Sequence, residues 1–444
     1  MIPTIILHGY SDEAESFRPL ARFLADHRFP VIDLHLGNYV SLEDSVTIPD
    51  LAKSFQAALA LKGISTAKGA FNLVVHSTGS LVAREWMTRY FLEKGLPCPV
   101  RRYLMLAPAN FGSPLASMGK TMIGRVIKGW KTGFESGREV LNALELGSPY
   151  TRELARRDLF GRTSFYEPSQ CLASVLVGSK PYQSGLRQLA DRNGGDGTVY
   201  VCTANLNASG LTIKFGRKGE PTEVAAWPRT AQPIAFGVFP DRDHASIARP
   251  DRGKKSLGAT VLRFLQLEDE EGYREYTATC DALTAETLPE KPTEKIFHTY
   301  QNLAARVTDD LGFGVADYFL EFYEKAKVPA DETKIDRLMV KIHGEVLEGV
   351  HVFGPDPSFR SLLFDLTDLK KAVAGGKKLM FSLSAAPLSP LVSFAAGEQN
   401  DVGELALHGA AGQSFWRDNQ TLLADLQIER QQNERVFTLE PVNP

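Results

Sequence analysis

Residues 71–86, FNLVVHSTGSLVAREW, pass from a strand pattern to a helix pattern with almost no chain between them. A short apolar run ends near Ser77, and a helix-like pattern starts at once after it. An uninterrupted apolar strand is buried on both faces, and a helix that follows it directly must pack back on its sheet. The feature restricts this part of the chain to a layered architecture of helices on a sheet.

The alternation repeats up to about Leu267. Apolar runs at 4–7, 31–34, 71–75, 103–107, 174–178 and 233–239 are mostly uninterrupted and usually bounded by Gly, Pro, Asn or Asp. Helical stretches include 49–61, 80–93 and 253–266. Together they predict an α/β domain over 1–267, a doubly wound and mostly parallel sheet with helices on both faces.

Residues 268–295 break the pattern, with nine acids, three bases and two prolines, and are expected to form an acidic linker or surface-wrapping segment. Beyond Ile296 the texture is β. Strands are expected within 315–323, 338–344, 349–353, 361–366, 378–384, 391–397 and 435–442, and a short helix near 413–430. An antiparallel, sandwich-like all-β accessory domain over 296–444 is the expected form.

A chain of 444 residues suggests two or three domains, and 43% hydrophobic with 23% charged residues argues against a disordered or collagen-like protein. A net charge of −3 supplies no basic field to draw the chain onto nucleic acid. Cys98, Cys171, Cys202 and Cys280 are scattered, which argues against a disulfide scaffold or a zinc site of ordinary spacing. No stretch of about 20 apolar residues suggests a membrane span. The N-terminus, MIPTIILHGY, reads as a strand and not as a signal peptide, so a cytoplasmic location is expected. A mature chain after signal removal would read the same, and export by a signal-less route stays open.

Chemistry sharpens the reading of the junction at Ser77. A serine hydroxyl is a poor nucleophile, so it must stand exposed on a tight turn where a base reaches it. A helix starting just after it aims backbone N–H groups at a developing oxyanion. A buried strand ending in a Ser/Thr helix cap is the alternative. Val75-His76-Ser77-Thr78-Gly79 resembles the G-x-S-x-G motif of the α/β-hydrolases, in their lipase and esterase branch, with Val75 where glycine is usual. The resemblance implies that His8-Gly9 ends the first strand and that the backbone N–H groups of Tyr10 and Thr78 form the oxyanion hole. The segment with Asn110, Gly112, Ser113 and Pro114 also fits it.

The family's acid follows a later strand, and NGGDGTV (193–199) places Asp196 there, with Asp191 a nearby competitor. Its histidine follows the last strand, and PDRDHASI (240–247) offers His244. Of nine histidines, His244 alone suits both the order Ser…Asp…His and a place after a strand of the first domain. His76, beside the serine, is expected to point into the fold.

Residues 115–160 lack strand character and are expected to form a helical lid insertion. Within it, 117–134 spaces Met118, Met122, Ile123, Val126, Ile127 and Trp130 helically among basic residues, a pattern suited to covering an apolar cleft or touching a lipid interface in passing. The expected activity is hydrolysis of carboxylic esters of lipids through an acyl-enzyme on Ser77, with no cofactor and no metal. An acyltransferase on the same fold is one alternative, and a non-catalytic lipid- or partner-binding protein is another. Asp309, Asp310 and Asp317 lie near strand ends, where carboxylates either bind calcium or shape turns.

Overall fold

The computed structural model describes residues 2–7, 14–34, 44–117, 137–181, 193–253, 256–286, 288, 294–324, 336–387, 389, 392–394, 401–408 and 410–432. The chain forms two compact units. The first comprises Met1–Ala208, Pro228–Thr299 and Asn419–Thr421, and the second Ser209–Trp227, Tyr300–Asp418 and Leu422–Pro444. The second unit therefore draws two strands from inside the span expected to be catalytic domain alone.

In chain order the strands begin with β1 (Thr4–Leu7), β2 (Val31–Leu34), β3 (Phe71–His76), β4 (Val100–Leu106), β5 (Leu172–Gly178), β6 (Ser209–Phe215), β7 (Pro221–Ala226) and β8 (Ala235–Phe239). The main helices of the first unit are α1 (Ala14–Asp26), α2 (Ile48–Leu61), α3 (Gly79–Tyr90), α4 (Arg138–Leu144), α5 (Pro149–Asp158), α6 (Leu257–Gln266) and α7 (Glu270–Glu286). The first unit's sheet has the order β2-β1-β3-β4-β5-β8, and every pairing is parallel. β1, β3, β5 and β8 are buried along their whole length, as strands covered on both faces must be. Strand order reverses at β1/β3, and in such sheets the crevice at the carboxyl ends of the strands is where sites form.

The acidic stretch is not a linker but takes the other expected form, a segment wrapped on the first unit. Its centre is α7, and Tyr273, Tyr276 and Cys280, spaced three and four apart, are its buried stripe. The helix covers the open edge of β8. Tyr273 Oη accepts from Ala235 N (3.1 Å) and Thr284 Oγ1 from Val238 N (3.1 Å), so hydroxyls replace the missing neighbour strand. The acids lie mostly on the solvent side, which is why charge counting hid the helix.

The expected lid divides in two. Residues 118–136, with nearly all of the amphipathic stretch, lie outside the described residues. Residues after 137 form α4 and α5, and α5 is a packed element with Thr151, Leu154, Ala155 and Asp158 buried.

In the second unit the further strands are β9 (Tyr300–Asp309), β10 (Tyr318–Glu324), β11 (Leu347–Val352), β12 (Phe359–Asp365), β13 (Leu379–Ala385), β14 (Val392–Ser393), β15 (Asp401–Ala406), β16 (Gln420–Ile428) and β17 (Gln431–Gln432). One sheet runs β11-β12-β9-β16-β6-β7, another β10-β13-β15, and β14 pairs with β17. Their side chains share one apolar core, which includes Ile213, Leu303, Phe322, Phe364, Phe381 and Leu422. Phe322 meets Phe364 edge-on with ring centroids 5.0 Å apart. The unit is β-rich but neither wholly β nor wholly antiparallel. β16 runs parallel to β6, and helices occupy Arg337–Lys341, Leu366–Ala372 and Ala410–Phe415. Thus 338–344 is helical where a strand was expected; near 413–430, where a short helix was expected, a helix ends at Phe415 and residues 420–428 form a strand. Residues 435–442 lie outside the described residues. Among the described residues, no helix is long and apolar enough to cross a membrane.

Candidate active site

β3 delivers Ser77 to the carboxyl edge of the sheet. Val75, in the position where glycine is usual, is accommodated inside the sheet, between Leu7 of β1 and Met105 of β4. Ser77 has φ +52°, a left-handed conformation that costs a non-glycine residue about 1–2 kcal/mol. Backbone bonds hold it there. Ser77 N–H donates to Leu106 O (3.2 Å), and Ser77 O accepts from Ser80 N (3.1 Å), Ser80 Oγ (2.8 Å) and Ala109 N (3.3 Å). Thr78 follows at the N-cap position of α3, which sets its backbone at the helix N-terminus.

Asp196 and His244 arrive from the ends of neighbouring strands. His244 Nε2 lies 3.1 Å from Ser77 Oγ, and Nδ1 lies 2.9 Å from Asp196 Oδ2. A carboxylate only accepts, so this network assigns the ring proton to Nδ1 and leaves Nε2 to accept from the serine hydroxyl. Asp196 is fully buried, and its Oδ1 accepts from Thr198 N (2.9 Å) and Val199 N (2.8 Å). The backbone ties the two loops as well, since His244 N–H donates to Asp196 O at 3.1 Å. Tyr10, His8 and Asp191 lie outside the described residues.

Further contacts fix the trio. Ser113 Oγ donates to Thr198 O (2.6 Å) and Thr203 Oγ1 to Gly112 O (3.1 Å), so the 110–114 segment braces the aspartate loop. His76 points into the fold, and its Nε2 meets the backbone oxygen of His244 at 2.9 Å. A carbonyl only accepts, so His76 is the donor. Its ring also lies against the His244 ring, with centroids 4.6 Å apart. Gly178, at the end of β5, leaves room for the histidine loop: a Cβ there would sit 2.0 Å from Arg242 O.

Sequence reasoning missed one group. Arg84 on α3 is fully buried and binds Asp158 through two hydrogen bonds, Nε–Oδ2 2.8 Å and Nη2–Oδ1 3.0 Å. Its Nη1 donates to Asn110 O at 3.2 Å. Tyr166 Oη and Ser164 Oγ donate to Asp158 at 3.1 and 2.7 Å. Burial opposes the Arg84 charge, but Asp158 outweighs it and holds the guanidinium above its ordinary pKa. Next to it, burial raises the Glu85 pKa, and the stronger pull of Arg157 and Arg89 leaves it below its usual value. Two adjacent charges inside LVAREWM were the available signal.

No protein-family model matches the sequence, and no curated protein matches it. Solved structures do. Phospholipase PlaB from Legionella pneumophila is similar at 23% identity with a TM-score of 0.79, over 100% of this chain and 97% of that one. This chain has the α/β-hydrolase fold. The same phospholipase in complex with thio-NAD gives 23% identity and a TM-score of 0.77 over the same shares of both chains. At this identity the likeness speaks for the fold, and for an α/β-hydrolase sheet with an added β-rich unit.

Proposed function

We propose that this protein is a serine hydrolase that cleaves carboxylic esters of lipids. The observation that carries the reading is the hydrogen-bonded chain Ser77–His244–Asp196, seated on a strained strand-to-helix turn. Ser77 Oγ attacks the ester carbonyl while His244 Nε2 takes its proton. Asp196 keeps the imidazole in the productive tautomer and stabilises its charged form. The backbone N–H of Thr78, with that of Tyr10, receives the oxyanion. His244 then gives its proton to the leaving alcohol, and in the second half-reaction it activates water against the acyl-enzyme. A lipid ester is favoured over a small soluble ester because the fold likeness extends across the whole length of a protein named as a phospholipase.

Labelling with a fluorophosphonate, and hydrolysis of p-nitrophenyl esters of increasing chain length above and below their solubility limit, test the proposal. Labelling at Ser77 and a rate that rises with chain length at the interface are expected. No labelling and no turnover above the Ser77→Ala blank would sink it.

Two smaller effects follow from the braces. His76→Leu strands the His244 carbonyl and frees its ring, so kcat is expected to fall about 10- to 100-fold with KM little changed. His76→Gln, which keeps a donor at similar reach, should recover much of the loss. Equal rates for parent and His76→Leu would refute the bracing role. Gly178→Ala pushes the Arg242 carbonyl away and shifts the histidine loop with it. A drop of about 100-fold in kcat is expected, in a chain that still melts cooperatively.

A further inference from the structure

The turn after β9 is built around one carboxylate. Asp309, only 2% exposed, accepts from Leu311 N (3.1 Å) and Phe313 N (2.9 Å) through Oδ1, and from Arg430 Nη1 (3.1 Å) through Oδ2. Its N–H donates to Phe313 O (2.9 Å), Gly312 N–H donates to Asp309 O (3.0 Å), and Gly312 sits at φ +87°. Asp310 Oδ1 accepts from Arg430 N at 2.8 Å. These two aspartates do turn chemistry. The turn they lock presents apolar side chains to solvent: residues 310–314 are all exposed, with Leu311 at 67% and Phe313 at 61%. Neither side chain belongs to the unit's core.

We propose that this turn anchors the protein to a lipid surface, with Leu311 and Phe313 entering the boundary between headgroups and acyl chains. Three features point to lipid and not to a protein partner. Leu311 and Phe313 expose on the order of 250 Å² between them, well short of the ~800 Å² per partner of an ordinary protein interface. The N–H groups of Asp309, Leu311, Gly312 and Phe313 are bonded within the turn, so entry of the apolar tip strands none of these four donors in a medium poor in water. The turn also carries no basic excess, since two aspartates stand against one arginine. Arg430, whose guanidinium lies 5.6 Å from the Phe313 ring centroid, faces Asp309 and Asp310. The surface it fits carries zwitterionic headgroups. The choice of lipid rests on the proposed lipid-ester chemistry, but the binding itself does not.

The test uses the full chain with Ser77→Ala, so that no lipid is consumed, and sedimentation with phosphatidylcholine vesicles. Adding Leu311→Ser with Phe313→Ser is expected to lower vesicle partitioning about 100-fold. Phe313→Trp is expected to shift indole emission to the blue on vesicle addition and to be quenched by brominated acyl chains. Phosphatidylglycerol in the vesicles is expected to add nothing. With Ser77 intact, the double-serine variant should hydrolyse a soluble short-chain ester at the parent rate. Partitioning of the double variant equal to the parent overturns the anchor. So does a changed mass at sedimentation equilibrium with vesicle binding unaffected, which would make the turn a protein contact. Tip-dependent binding by a chain that hydrolyses no ester would sink the proposed function and leave the anchor standing.

Discussion

Replacing Ser77 by alanine is expected to lower kcat for ester hydrolysis on the order of 10⁶-fold, or about 8 kcal/mol of barrier. The size follows from the proposed mechanism, in which the trio acts as one unit. Without Oγ, the imidazole of His244, 3.1 Å away, has no hydroxyl to deprotonate, and the tautomer set by Asp196 has no use. Ser77→Ala with His244→Ala should therefore be no slower than either single variant. Asp196→Asn should cost about 10⁴-fold, because an amide can donate to Nδ1 and so turn the ring proton toward the serine. Pre-steady-state and steady-state rates with one activated ester measure all four proteins. Additive losses in the double variant would mean that the residues act separately and that the mechanism is wrong.

Removing Asp158 should produce the largest loss of stability. Asp158→Ala leaves the Arg84 guanidinium in a fully buried site without its counter-charge, and an uncompensated buried charge costs about 3–5 kcal/mol. Replacing both partners by apolar residues of similar volume, Arg84→Met with Asp158→Leu, should recover most of this, since no charge is then left stranded. The denaturant midpoint of the first unit's transition measures both, and a fluorescent label on that unit separates it from the second. A loss under about 1 kcal/mol for Asp158→Ala would show that Asn110 and its neighbours suffice to hold the guanidinium.

The first unit's sheet was legible because parallel strands buried on both faces write themselves as plain apolar runs, as in 71–75 and 174–178. Ser77, Asp196 and His244 could be named for the same reason, since each lies in the segment that follows such a run. What stayed hidden depends on partners distant in sequence. Residues 209–226 carry a plain alternation, with Leu211, Ile213 and Phe215 around a Gly-rich turn, but nothing local says that they join strands some 200 residues further on. In α7 the acids outnumber the inward Tyr273, Tyr276 and Cys280, and composition outweighed periodicity. The helix at Arg337–Lys341 fails as a strand because Asp336 caps it, accepting from Leu338 N and Met339 N, a signal that the apolar run 338–342 obscured. Arg84 and Asp158 are 74 residues apart, and only the fold pairs them.

The weave of the second unit has a consequence for how the protein is made. β6 leaves the ribosome about 200 residues before β16, its parallel neighbour, or some 10–40 s earlier at ordinary rates of synthesis. Through that interval Ile213 and Phe215, which end up fully or nearly buried, have no sheet to join. The nascent β6–β7 ribbon is thus a natural binding site for chaperones. The β-rich unit is also no detachable module: a stop codon anywhere before residue 420 would leave β6 without that partner.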